Sequence, residues 1–320
     1  MASSQGRLGT FQGVFRPTTL TILGALLYLR EGWLVGSVGL LGALGVLVAA
    51  TLITGTTALS VSTIATNQRM RPGGAFAIIG QSLGLEAGGA IGGPLYVAQA
   101  LSSAMYAYAF AEALSGTVTA LGGPELPLVP TALIAFLAIA ALAMRSAALA
   151  VKAQGALFVL AAIALASFFS GVFTTELHAP ELLPPPESET SLLAAFALFF
   201  PATTGIMVGG GMSGQLRNPR HAIPRGTLIA WAVTTSLYLL AAVWYSVVAT
   251  QEELLTNTMI AFDRALLGWV VRAGLLASTL MAALSSLVAS SQLLQAMADE
   301  RAVPAPLARL GADGEPRVAL

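Results

Sequence analysis

Eight stretches of this chain are apolar over about 20 residues, the length a helix needs to cross a bilayer. They run over 14–35, 40–64, 88–114, 128–144, 148–169, 192–212, 227–249 and 270–297. No other feature restricts the fold as strongly. Composition agrees: 56% of residues are hydrophobic and only 9% charged, against about 25% charged in soluble domains. A soluble chain of 320 residues has too little interior to hide that much apolar side chain. The expected class is all-α: a polytopic membrane protein with the lipid bilayer as its main partner. One transmembrane domain is expected over 1–320, with no soluble domain.

The loops suggest an orientation. With the N-terminus in the cytoplasm, all of the 15 basic residues except Arg30, Arg264 and Arg272 fall inside. That is a positive-inside bias. The loop "TTELHAPELLPPPESET" is then external, acidic, proline-rich and irregular. Cysteine is absent, and His178 and His221 fall in opposite-facing loops, so thiolate and histidine metal sites are not expected. Net charge is zero with no basic run, so nucleic acid is not an expected partner. The N-terminal "MASSQGRLGTFQG" lacks the apolar core of a cleavable signal peptide. The segment 65–84, "ATNQRMRPGGAFAIIGQSLG", is too short to span and too apolar to float. It reads as a short amphipathic or re-entrant piece leading into the third span.

The sixth span carries "PATTG" near its middle. Pro201 donates no backbone N–H, and Gly205 reaches conformations other residues avoid. Irregular backbone at membrane depth is tolerated where it lines a cavity or is packed by protein. A helix broken there ends in unpaired carbonyls, a seat for a cation. The half-helix after the break starts with unpaired N–H groups at a positive dipole end, a seat for an anion. The first span repeats the pattern more weakly in "RPTTLTILGALLYLR", with Thr18, Thr19, Thr21 and Gly24. First and sixth spans are five apart, and paired breaks are what an inverted five-span repeat gives. The plainer alternative is close helix packing through small residues, and it is the preferred reading of "VGGGMSG", 208–214. Tyr106 projects from mid-span in the third segment and needs a hydroxyl partner there, as a core tyrosine or a functional one. Glu112 snorkels to water or lines an outer vestibule. Arg30 and Glu31 mark the outer end of the first span.

Several stretches are familiar. "GVFRPTTLTILGALLYLREGWLVG", "STIATN", "GGAFAIIGQSLGLEAGGAIG", "SSAMYAYAFAEA", "FALFFPATTGIMVGGGMSGQLRNPRHAIPRGTLIAW" and "LLQAMADERAVP" resemble the cation-chloride cotransporter family, in family order along nearly the whole chain. That family belongs to the amino acid–polyamine–organocation superfamily. The resemblance implies a LeuT-type inverted-repeat core with discontinuous helices 1 and 6. It implies a potassium site at Thr21, the Ile22 carbonyl, the Tyr106 hydroxyl, the Pro201 carbonyl and Thr204. It implies one chloride site at Gly24, Ala25 and Leu26, and another at Gly205, Ile206 and Met207.

Three departures from the family pattern matter. Thr21 stands where asparagine is usual, with a shorter reach. Met281 and Ala282 occupy the positions of a serine pair found in the sodium-coupled branch. Hard cations want oxygen ligands, so the potassium-chloride branch is favoured, unless a slip of one turn restores the pair as Ser285 and Ser286. The chain also stops where a ninth span is expected, so it resembles a member truncated after the eighth span, with an incomplete second repeat.

The expected function is electroneutral symport of chloride with a monovalent cation, potassium without sodium, by alternating access in the plasma membrane. No cofactor is expected; potassium and chloride are the transported ions, and relatives of this kind often form homodimers. The alternative is an amino-acid permease of the same superfamily, with a substrate carboxylate in the anion seat. A third reading is a non-transporting membrane subunit. An enzyme is not expected, because no nucleophile, base and metal converge among so few polar residues.

Overall fold

The computed structural model describes residues 8–67, 73–145, 147–208 and 216–308. Among them every regular element is helical, apart from an isolated bridge between Leu8 and Leu216. A π-helical turn, Phe11–Phe15, leads into α1 (Arg16–Ile22). After a break come α2 (Ala25–Leu29) and α3 (Glu31–Asn67). Gly39, at φ 70, bends α3 where the first span gives way to the second. Only glycine fits: its φ is left-handed, and a Cβ would lie 2.7 Å from the Leu182 carbonyl oxygen of the outer loop. That loop is irregular, as its prolines predict, and it docks here through Leu40 N–H to the Glu181 carbonyl at 3.0 Å.

The segment before the third span contains a short helix, α4 (Gly74–Leu83), whose Phe76 and Ile78 are buried. Arg69 and Arg71, its expected inner tether, lie outside the described residues. Gly84, at φ 96, turns the chain into α5 (Leu85–Ala120), which is longer at both ends than the expected third span. α6 (Leu128–Arg145) and α7 (Ala147–Ser170) match the fourth and fifth segments. The sixth starts as α8 (Leu192–Phe199), tightens to a 3-10 turn at Phe200–Thr203 and then breaks. The glycines at 209–211 and 214, read as packing residues, lie outside the described residues. α9 (Pro219–Val248) is the seventh span. Two short helices follow, α10 (Gln251–Thr256) and α11 (Ile260–Asp263), on the side expected to face outward, then α12 (Gly268–Asp299). A capping box between Thr250 and Glu253 starts α10.

By length and composition, four helical stretches among the described residues are apolar enough to cross a membrane: Glu31–Asn67, Gly155–Phe173, Pro219–Val248 and Gly268–Asp299. The first and sixth segments fall short because their breaks divide them. The most extensive packing is α3 on α9 and α5 on α12. These are second against seventh and third against eighth spans, the partners an inverted five-span repeat relates. The main core gathers Leu27, Leu34, Leu47, Phe168, Phe199, Tyr238 and Tyr245 around the broken segments. Leu41, Val48, Leu52 and Leu59 of α3 are exposed on the outside of the bundle, the pattern of a lipid-facing stripe.

Candidate ion site at the two helix breaks

The breaks touch. α1 ends at Ile22, and Leu23 (ψ 58) and Gly24 (φ −92, ψ −155) carry the chain out of the helix before α2 begins. In the sixth span, Thr204 is extended (ψ 174) and Gly205 is left-handed (φ 106). A Cβ on Gly205 would meet Thr21 Cγ2 at 2.9 Å and Ile22 Cγ1 at 3.5 Å. The sequence placed these two discontinuities some 180 residues apart, and the fold sets one directly on the other.

Several of the residues expected to hold a cation lie around this contact. The Tyr106 hydroxyl donates to the Thr21 carbonyl at 3.3 Å. Its ring lies 3.2 Å from where a Gly24 Cβ would be, so Gly24 is needed for space rather than for its backbone angles. Thr204 Oγ1 donates to the Pro201 carbonyl at 2.7 Å, and Thr21 Oγ1 to the Pro17 carbonyl at 2.8 Å. Each hydroxyl keeps oxygen lone pairs free to accept. Thr21, Ile22 and Tyr106 are buried; Thr204 is exposed and Pro201 partly so. The five expected cation-binding residues therefore share one neighbourhood of carbonyl and hydroxyl oxygen.

The expected anion seats are less uniform. The first N–H groups of α2, including those of Ala25 and Leu26, have no preceding helical carbonyl to bond. The Gly24 N–H differs: it donates to the Ile22 carbonyl at 2.8 Å, so it is engaged in this conformation. Ile206 and Met207 form a turn after Gly205, closed by the Val208 N–H to the Gly205 carbonyl at 3.1 Å.

Three features escaped the sequence reading. Tyr238 of α9 is buried, and its hydroxyl reaches both breaks, Ile22 O at 2.7 Å and Ala202 O at 3.3 Å. The signal was present in "TTSLYLLAAVWY": a tyrosine deep in a span needs a polar partner as much as Tyr106 does. Glu112 neither snorkels alone nor stands free. It forms a two-pronged ion pair with Arg30, at 2.8 and 2.9 Å, which ties the outer end of α2 to α5. Glu31 does not mark a wet outer end, because it is completely buried. The short outer helix α10 covers this stretch: a Cβ on Gly32 would lie 3.3 Å from Leu254, and one on Gly36 2.9 Å from it. Charge alone placed both residues at a boundary, and α10 could not be foreseen over them.

A bundle of apolar helices in which the breaks of the first and sixth segments abut suits a polytopic transporter, and the comparisons agree. The chain belongs to the amino acid permease family, whose match covers residues 13–320. It is 31% identical over 314 residues to solute carrier family 12 member 8 of Mus musculus, covering 93% of this chain and 44% of that protein. It is 30% identical over 354 residues to cation-chloride cotransporter 1 of Arabidopsis thaliana, covering 93% of this chain and 36% of that protein. Solute carrier family 12 member 2 of Mus musculus is 35% identical over 268 residues, 76% of this chain and 22% of that protein. The chain thus spans less than half the length of these curated relatives. They are transporters of the cation-chloride cotransporter type, not enzymes, as the resemblance implied.

Proposed function

We propose that the protein is a secondary transporter that moves chloride together with a monovalent cation, potassium, without sodium. The observation that carries this reading is the contact between Gly205 and Thr21. That contact sets the end of α1 against the turn at Gly205, close to the Tyr106 hydroxyl, which donates to the Thr21 carbonyl, and to Thr204, which precedes Gly205. Carbonyls and hydroxyls replace the water of a large monovalent cation, and helix starts hold an anion. Seating both ions together cancels their charge, so the step needs no membrane potential. In this reading Thr21, Ile22, Tyr106, Pro201 and Thr204 bind potassium. The N–H groups of Ala25 and Leu26 at the first break, and of Gly205, Ile206 and Met207 at the second, bind chloride. Gly24 supplies the close approach.

In this reading the Arg30–Glu112 pair, which ties α2 to α5, is the closure of the outer side in one state of an alternating-access cycle. Met281 and Ala282 pack in an apolar cluster with Tyr106 and Leu284, which supports a sodium-independent mechanism. The charge distribution supports a cytoplasmic N-terminus. The matching family's description raises the amino-acid permease reading. The relative named as a cation-chloride cotransporter favours the ion reading over it.

The test is rubidium uptake into vesicles bearing the protein. Uptake is expected to vanish when chloride is replaced by gluconate and to be indifferent to sodium. Uptake unchanged in gluconate overturns the proposal. A stabilising thermal shift with amino acids, and none with potassium chloride, supports the permease instead.

A further inference from the structure

Glu31 is 0% exposed, and neither of its carboxyl oxygens has a hydrogen-bond partner. The hydroxyls and cations around it are committed elsewhere. Tyr238 and Tyr245 of α9 lie close enough to interact with its charge, as Tyr28 of α2 does with Tyr245. The Tyr238 hydroxyl is given to Ile22 O and Ala202 O, and the Tyr245 hydroxyl to the Leu27 and Tyr28 carbonyls at 3.0 and 3.2 Å.

The cations of the surrounding elements are also engaged. Arg30 turns to Glu112, Arg264 binds Glu253 at 2.7 Å, and Arg272 reaches Asp263 at 3.4 Å while lying over the Phe262 ring. α8 and the turn at Phe200–Thr203 carry no titratable group. His178 stands beside Glu253 in the outer layer. Glu253 is held below the usual carboxylate range, first by the Thr250 backbone hydrogen bond, so it stays ionised near neutral pH. A carboxylate with neither donor nor cation is far more costly to bury than the neutral acid. An ionisable residue inside a membrane bundle points to function.

We propose that Glu31 is a proton-binding site. It carries a proton while the outer path is shut and releases it to external water when the path opens, so external acidity holds the transporter closed. The exchange is simple: the carboxylic acid loses H⁺ to water and becomes a hydrated carboxylate. Its position suits the task, because it directly follows Arg30, whose pair with Glu112 ties α2 to α5 at the same level. A hydrated glutamate titrates at about 4.3, so at neutral pH the open state lacks the proton that the closed state holds. Closure is then favoured by up to about tenfold for each unit of external acidification. The proton site stands on the burial of Glu31 alone; its link to ion entry rests on the transport reading above.

The first experiment is infrared spectroscopy of the full chain in lipid at about pH 7, recorded as wild type minus Glu31→Gln, with Glu31→Leu as a second neutral variant. A protonated carboxyl band present in wild type and missing in both variants is expected, and its absence overturns the site. The second is rubidium uptake from outside solutions between about pH 6 and about pH 8. In wild type the half-saturating rubidium concentration is expected to rise on acidification by up to about tenfold per unit. In Glu31→Gln it is expected to be flat. A pH dependence that survives Glu31→Gln and disappears in His178→Gln overturns the coupling. Absent chloride-dependent uptake at every pH overturns the transport reading, while the infrared band still decides the proton site.

Discussion

The two helix breaks reach similar geometry by different chemistry. At the first, Gly24 has an ordinary negative φ, and the constraint is outside the backbone: the Tyr106 ring presses where a side chain would go. At the second, Gly205 is left-handed, Pro201 opens a tightened 3-10 turn before it, and Thr21 closes the space above it. One break is imposed by a neighbour and the other is written into its own backbone. A mobile element whose shape depends on packing can change shape when the packing changes. One built from proline and a left-handed glycine keeps its form.

Substitution can break this contrast. Gly205→Ala is expected to do the most damage. It forces a left-handed alanine, at about 1–2 kcal/mol, and drives its methyl into the stiff, β-branched Thr21. Thermal unfolding in detergent should show a clear loss, and chloride-dependent uptake should disappear. Tyr238→Phe comes next. It leaves Ala202 O without this buried partner, about 1–3 kcal/mol, and unlinks the two breaks, so uptake should fall while the helical circular dichroism remains. Gly24→Ala should be milder, within about 1 kcal/mol, because the Tyr106 ring needs to yield only a few tenths of an ångström. Equal losses for Gly24→Ala and Gly205→Ala would remove the distinction. The smallest effects on stability belong to Thr204→Ala and Tyr106→Phe. Each should raise the half-saturating rubidium concentration severalfold with little change in unfolding temperature. Unchanged ion affinity in both would mean the cation sits elsewhere.

Both breaks were legible in the sequence because proline, glycine and clustered threonines are conspicuous against leucine and alanine. Tyr106 was legible for the same reason, as a hydroxyl with no reason to be in lipid. Their meeting was not legible as geometry, since nothing local in "PATTG" specifies that Gly205 rests on Thr21. The helical segments were drawn well where charge bounds them, as at Arg145. They were drawn short where small residues extend a helix beyond its apolar centre, as at both ends of α5. The burial of Glu31 was not legible, because a charged residue at a span end ordinarily meets water, and only tertiary packing seals this one inside. The Arg30–Glu112 pair was not legible because its members are 82 positions apart.

Gly39 has a mechanical consequence. The outer loop lies on its bare backbone, tied by Leu40 N–H to Glu181 O and by the Ser188 hydroxyl to the Ser37 carbonyl at 2.7 Å. A few residues later the same loop becomes α8. The crease between the first two spans is thus stitched to the strap that feeds the sixth, so a tilt of the hairpin tugs directly on the opposite half of the molecule.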